Sequence, residues 1–153
     1  FGWKSVSKLN SFLKTRSRIL DAGTGVGNSA KLFSSNLNSQ VFGIDASESI
    51  EFAYKKYGKI KNIHFLQADI RKLPFKKSFF DFICSDQVLH HTKDTKSSFK
   101  MLSKLLAKKG MISIYVYRKK GPLREFADDY IRESTIQMTE KQCMEWMILI
   151  QQY

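Results

Sequence analysis

The stretch from Arg18 to Ala30, RILDAGTGVGNSA, constrains this chain more than any other. A short apolar run, Arg18 to Ala22, carries Asp21 near its end and is followed by glycines at positions 23, 25 and 27. This order reads as a strand, a tight turn and the start of a helix. Glycine is needed where the backbone takes positive φ or lets a ligand come close, and the free N–H groups of a helix start attract negative charge. The turn is thus either a cradle for a nucleotide-like ligand or a glycine-rich connection with no ligand. In the dinucleotide fingerprint G-x-G-x-x-G, the third glycine would stand where this chain has Asn28, and Gly27 falls one position early. That spacing disfavours a nicotinamide cofactor.

A chain of 153 residues is one domain in size, and its 42% hydrophobic content argues against disorder. No apolar run approaches the ~20 residues of a membrane span, and no signal-peptide pattern stands near Lys4 and Lys8, so a cytoplasmic location is expected. Cys84 and Cys143 are the only cysteines, and neither a disulfide framework nor a metal site is suggested. The net charge of +12 is compatible with nucleic-acid binding, but lysine is spread along the chain, so a solvated basic surface is favoured over a nucleic-acid partner. The chain begins with Phe rather than Met, which leads one to expect a fragment with parts missing at the start.

The remaining pattern alternates strands and helices. Phe1 to Lys14 reads as a helix with Trp3, Val6, Leu9 and Leu13 on one face. Asn28 to Asn36 reads as a second helix with Ala30, Leu32 and Phe33 inward. Gln40 to Asp45 is the second strand, and Asp45 lies eighteen residues beyond Gly27, close to the ~20 that set a carboxylate over a ribose. Ser47 is a candidate cap for a helix that buries Ile50, Ala53, Tyr54 and Tyr57 and stops at a left-handed Gly58. Ile63 to Ala68 is the third strand, followed by Asp69, so Asp21, Asp45 and Asp69 recur at the same strand level.

Phe79 to Ser85 is the fourth strand, with Asp86 to Thr92 a loop or short turn after it. Asp94 caps a helix that buries Phe99, Leu102 and Leu106 and stops at Gly110. Met111 to Tyr117 is a fifth strand, apolar on both faces and so expected to be central or well covered. After Pro122 the pattern is helical, with Leu123, Phe126, Ala127 and Tyr130 on one face. A capping box of Thr139 and Gln142 then precedes Cys143, Trp146, Met147 and Ile150. The element order predicts an α/β fold with a doubly wound, mostly parallel sheet.

With Gly23, Gly25, Gly27, Asp45, Asp69 and the segment Asp86 to His91 in this order, Ile19 to Tyr117 resembles the class I S-adenosylmethionine-dependent methyltransferases. The likeness is to the small-molecule branch that includes the ubiquinone and menaquinone biosynthesis C-methyltransferases. The resemblance implies a Rossmann-like cofactor-binding core over residues 1–120, and S-adenosyl-L-methionine as cofactor with S-adenosyl-L-homocysteine as product. It implies that Gly23, Thr24, Gly25 and Gly27 lie against the methionine part while Asp21 holds the amino end. Asp45 would take the ribose hydroxyls with Ala46 beside it, and Asp69 the adenine amino group with Ala68 and Ile70 beside the ring. Ser85, Asp86 and Gln87 match the strand end next to the sulfonium. The usual fold has two more strands, which this chain lacks. Either the chain is truncated, or residues 121–153 are a helical cover or insertion ahead of the missing pair.

His90 and His91 are the candidates for a general base, needed only if the acceptor must lose a proton; loop packing is the alternative. Tyr115, Tyr117 and Arg118 stand where an acceptor pocket could be lined. No Pro-Pro-aromatic motif, Pro-Cys nucleophile, glutamate pair or acidic metal cluster stands near the fourth strand, which leaves a small organic acceptor in the lead. An RNA or tRNA methyltransferase and a catalytically silent cofactor-binding module remain as alternatives. The sequence says nothing of oligomeric state.

Overall fold

Five strands pair in parallel: β1 (Arg18–Ala22), β2 (Gln40–Asp45), β3 (Ile63–Gln67), β4 (Phe80–Asp86) and β5 (Leu106–Tyr115). They lie in the order β3-β2-β1-β4-β5 in a computed structural model that describes residues 5–117 and 121–150. Trp3, Arg118 and the side chains of Met147 and Ile150 lie outside the described residues. The chain winds outward from β1 to β3, returns to the other side of β1 for β4, and winds outward again. The carboxyl ends of β1 and β4 therefore meet at the point where the winding reverses, where an open α/β sheet forms a crevice.

The helices follow from the apolar spacing. α1 (Val6–Leu13), α2 (Asn28–Phe33) and α3 (Ser49–Tyr57) precede β4, and α4 (Thr95–Leu105) joins β4 to β5. On one face of the sheet Leu9 and Leu13 of α1 and Ala30 and Phe33 of α2 pack with Ile19, Val41 and Phe82. Phe82 meets Phe12 and Phe33 edge-on, with ring centroids 5.0 and 5.7 Å away. On the other face Leu102 and Leu105 of α4 pack with Leu20, Ile44 and Ile83. There Phe42 meets Phe75, Phe79 and Phe80 at centroid distances of 5.3 to 5.8 Å. Truncating a fully buried phenylalanine such as Phe82 to alanine costs about 3–5 kcal/mol.

Two polar side chains fasten this core. Asp81 accepts hydrogen bonds from the backbone N–H groups of Ser17 (2.7 Å) and Arg18 (3.1 Å) and so fixes the entry to β1. The buried Asn62 amide donates to the carbonyls of Ser34, Asn36 and Ser39, tying down the connection from α2 to β2.

Several expectations need correction. Val6, Leu32, Tyr54 and Phe99 face solvent, at 69, 36, 64 and 40% exposure, because each short helix turns only a narrow stripe to the sheet. Buried Ser98 takes part of the inward face of α4. Ser47 does not cap α3; Glu48 holds that position, and the Ser47 hydroxyl turns back to Asp45. Gly58 ends α3 with a right-handed φ of −64°, so it serves as an ordinary terminus and not a left-handed one. Asp94 does cap α4, accepting from Lys96 and Ser97 at 3.0 and 3.1 Å.

The largest difference is β5. α4 ends at Leu105 and the strand begins at Leu106, ahead of Gly110, with a register break opposite Phe80 and Phe82 and a left-handed Lys109 in the extra segment. Among the described residues β5 lies at the edge of the sheet, and Met111 and Tyr115 are 48 and 54% exposed. Its apolar run on both faces does not mean burial on both faces.

The chain divides into two units, Phe1–Tyr117 and Arg118–Tyr153. The second contains α5 (Pro122–Thr135) and α6 (Glu140–Ile150). Proline at the start of α5 suits a position whose N–H has no helical partner. Before α6, Thr139 N–H donates to Gln142 Oε1 (2.9 Å) and Gln142 N–H donates to Thr139 Oγ1 (3.4 Å), the reciprocal box expected. No helix among the described residues is long and apolar enough to cross a membrane.

Candidate functional site

The turn after β1 is left-handed at Gly23, Gly25 and Gly27, with φ of +88°, +52° and +84°. At Gly23 the requirement is double, because a Cβ there would stand 2.1 Å from Val88 Cγ2. The first glycine is thus pressed against the segment that follows β4. Above Gly25 the space is open, with nothing within 4 Å of a Cβ. Its N–H donates to Asp45 Oδ2 at 2.8 Å, which joins the glycine turn to the end of β2. Asp45 Oδ1 accepts from the backbone N–H and the hydroxyl of Ser47, at 2.9 and 2.7 Å. Both oxygens are therefore held by fixed donors without a cation among them.

Asp69, after β3, is held differently. Its carboxylate takes the Arg71 backbone N–H (2.8 Å) and the Arg71 guanidinium, with Nε 3.0 and 2.9 Å from the two oxygens and Nη2 closing a salt bridge to Oδ2. Hydrogen bonds from the Arg71 side chain, more than its charge, lower the Asp69 pKa to about 2.

Asp21 is buried, at 3% exposure, and Thr24 Oγ1 donates to its Oδ2 at 2.6 Å. Burial pushes its pKa up to about 6, against the lowering effect of the Thr24 bond, and Asp86 and Asp45 add repulsion. Asp21 is thus a carboxylate in reserve behind the turn.

A cavity of ≈ 630 Å³ opens at this edge. Of the residues singled out in the sequence, Gly23, Asp45, Ala46, Asp69, Ile70, Gln87 and His91 line it. Asp21, Thr24, Gly27 and Ser85 are buried and do not line it, while Gly25, Ala68, Asp86 and His90 are half-buried nearby in the chain. Ser85 has a structural bond there, its hydroxyl donating to the Ala22 carbonyl at 3.0 Å and linking β4 to β1. Arg71 also lines the cavity, as the first residue of the loop 71–78 that the sequence offers as a pocket wall. Ser47, Val88, Thr92 and Lys93 line it too, and sequence reasoning did not select them for it.

After β4 the backbone is strained. Gln87 takes a φ of +60°, its N–H donates to the Tyr115 carbonyl at 2.9 Å, and its Oε1 accepts from the Tyr117 hydroxyl. A positive φ outside glycine is kept where surrounding bonds over-determine it, and these two do. A 3-10 turn, Leu89–His91, follows. The His90 ring lies between His91 and Tyr117, at centroid distances of 4.1 and 4.4 Å, and its two nitrogens are shut off from solvent with no hydrogen-bond partner among the described residues. Burial, then the neighbouring His91, lowers its pKa. Cys84, one strand position before Ser85, is buried with its thiol pKa raised by burial, and is an inert core residue.

These features form one acid-lined crevice at the carboxyl edge of a parallel sheet. The family described as a methyltransferase domain matches residues 20–114, from within β1 to the last residue but one of β5. The chain belongs to this methyltransferase domain family. The ubiquinone/menaquinone biosynthesis C-methyltransferase UbiE of Coxiella burnetii is 26% identical over 141 residues, covering 84% of this chain and 54% of that protein. The uncharacterized methyltransferase YcgJ of Bacillus subtilis is 28% identical over 132 residues, covering 78% and 52%. The chain spans about half the length of the curated relatives it matches. The crystal structure of YcgJ aligns with a TM-score of 0.66 at 24% identity, over 84% of this chain and 58% of that one. A SAM dependent methyltransferase from Aquifex aeolicus aligns with a TM-score of 0.64 at 23% identity, over 85% and 78%. The methyltransferase domain fold thus accounts for the sheet order and for the crevice at its winding reversal.

Proposed function

We propose that this chain is the cofactor-binding part of an S-adenosylmethionine-dependent methyltransferase that acts on a small organic acceptor. The observation that carries this reading is the way Asp45 is held on the cavity wall. A carboxylate oxygen offers about two acceptor sites. Oδ2 of Asp45 uses one, for Gly25 N–H, and Oδ1 can be freed in part because the Ser47 hydroxyl has an alternative partner in Ser49 Oγ at 2.6 Å. Two acceptor positions with full negative charge suit the vicinal hydroxyls of a ribose.

The other residues fit the same ligand by their chemistry. Asp69 with Ala68 and Ile70 would meet the adenine, and Ala46 would flank the ribose. Gly23, Thr24, Gly25 and Gly27 would lie against the methionine part, with Asp21 near its amino end. Ser85, Asp86 and Gln87 would face the sulfur. Acids around a ligand rich in donors and positive charge are complementary, and they would repel a pyrophosphate. When bound, S-adenosylmethionine supplies an electrophilic methyl group on a positive sulfur. The chain's own contribution is then orientation and charge, which need no covalent participation. His91, on the cavity wall, and His90 beside it are the proposed groups to accept a proton where the acceptor must lose one.

The UbiE relatives, named for C-methylation in ubiquinone and menaquinone biosynthesis, support a small organic acceptor. A cytoplasmic location belongs to the same proposal. Calorimetric titration with S-adenosylhomocysteine tests it: the chain binds with a 1:1 stoichiometry, and Asp45→Ala abolishes binding. Equal behaviour of the two proteins, or no binding by either, rejects the reading. An RNA acceptor is the second reading, compatible with the net charge of +12, and for it binding to tRNA would fall steeply with salt.

A further inference from the structure

We infer that Arg71 competes with the exocyclic amine of a bound purine for the Asp69 carboxylate, and so sets how strongly the site prefers an amino-purine. The inference rests on the cofactor reading above. Asp69 and Arg71 both line the cavity, and three N–H groups of Arg71 reach the two carboxylate oxygens: the backbone N–H on Oδ1, Nη2 on Oδ2 and Nε shared between both. Two oxygens offer about four acceptor sites, so these three N–H groups take most of the carboxylate's capacity. Its low pKa, about 2, reflects the same hydrogen bonds.

An amine arriving at this carboxylate has to displace part of the fork. Asp45, in contrast, has only neutral donors from backbone and hydroxyl, which leave its charge free to act on a ligand. The consequence concerns specificity. While the fork is in place, the edge of the cavity at Asp69 presents guanidinium donors, which suit an oxo-purine as well as an amino-purine. With the fork removed it presents a carboxylate held only by the backbone N–H of residue 71, an acceptor that suits the amine alone.

The pair is solvent-exposed, at 46% for the Arg71 side chain and 36% for that of Asp69, so salt weakens it. The amine of a purine carries no net charge and its bond to Asp69 is less sensitive to salt. Added salt should therefore tighten an amino-purine ligand in the native chain and leave a chain without Arg71 unaffected.

The test is calorimetric titration of the full chain, Arg71→Ala and Arg71→Gln with S-adenosylhomocysteine and with S-inosylhomocysteine, at low and high sodium chloride. Arg71→Ala and Arg71→Gln are expected to bind S-adenosylhomocysteine about two- to five-fold more tightly, the span open to an exposed pair. They should bind S-inosylhomocysteine no better, and lose the tightening by salt. An unchanged ratio of the two affinities, or weaker S-adenosylhomocysteine binding by both variants, overturns the inference while leaving the cofactor reading intact. Absence of S-adenosylhomocysteine binding from the native chain and both variants overturns the cofactor reading itself, and this inference with it.

Discussion

The turns after β2 and β3 each bring an aspartate to the same edge of the sheet, and they hold it by opposite means. Asp45 is gripped by Gly25 N–H and by Ser47, donors that carry no net charge. Asp69 is gripped by a guanidinium from two residues along its own chain. The first arrangement fixes geometry and leaves a negative charge for a ligand. The second neutralises the charge and makes access to the carboxylate conditional. Two acids equivalent in sequence position thus differ in how they are held, for a reason visible only in what surrounds them.

The comparison breaks if the two acids prove interchangeable. Asp45→Ala should weaken S-adenosylhomocysteine by at least about a hundredfold, since two charge-assisted hydrogen bonds are worth about 3–6 kcal/mol together. Calorimetry under identical conditions should show Asp69→Asn changing affinity only about three-fold, because the carboxylate it removes is already occupied. A larger loss for Asp69→Asn than for Asp45→Ala would reverse the assignment.

Between these extremes stands Asp21, a third acid with neither arrangement. Its folded pKa of about 6 lies above the unfolded value of 3.8, so the folded state holds the proton more tightly. Its contribution to stability is complete below pH 3.8 and is lost as pH rises through 6. The shift corresponds to about 3 kcal/mol. Asp21→Asn should remove this loss, raising the denaturation midpoint at pH 8 relative to the native chain and leaving the two nearly equal at pH 4. A native stability that does not fall between pH 4 and pH 7 once the other carboxylates are accounted for would contradict it.

Gly23→Ala sharpens the comparison from the side of the turn. Strain at φ +88° together with overlap on Val88 should cost about 2 kcal/mol in chemical denaturation, and should weaken S-adenosylhomocysteine by displacing the turn that carries Gly25. Gly25→Ala meets no neighbouring atom and carries a smaller φ strain, so its stability loss should be the lesser of the two.

Much of this was readable in the chain. The strand runs at Ile19, Val41 and Phe82, the cap at Asp94 and the box at Thr139 and Gln142 are patterns of neighbours, and local stereochemistry fixes them. Tyr54, Phe99 and Leu32 were misread as inward because apolar character at helical spacing does not say how wide a stripe the sheet will cover. For β5, an apolar run suggested a covered strand where the topology made an edge. Val88 beneath Gly23 and Tyr117 against His90 left no trace in sequence, being contacts between residues 65 and 27 positions apart.

The chain by itself determined where each acid falls relative to its strand, and which turns need glycine, because these depend on a few adjacent residues and on allowed φ and ψ. Only the tertiary structure decided which acid is held by neutral donors, which is paired with a guanidinium and which is buried. A carboxylate's charge state and availability are set by donors and dielectric within a few ångströms, and at this sheet edge those come from segments that meet only when the chain has folded.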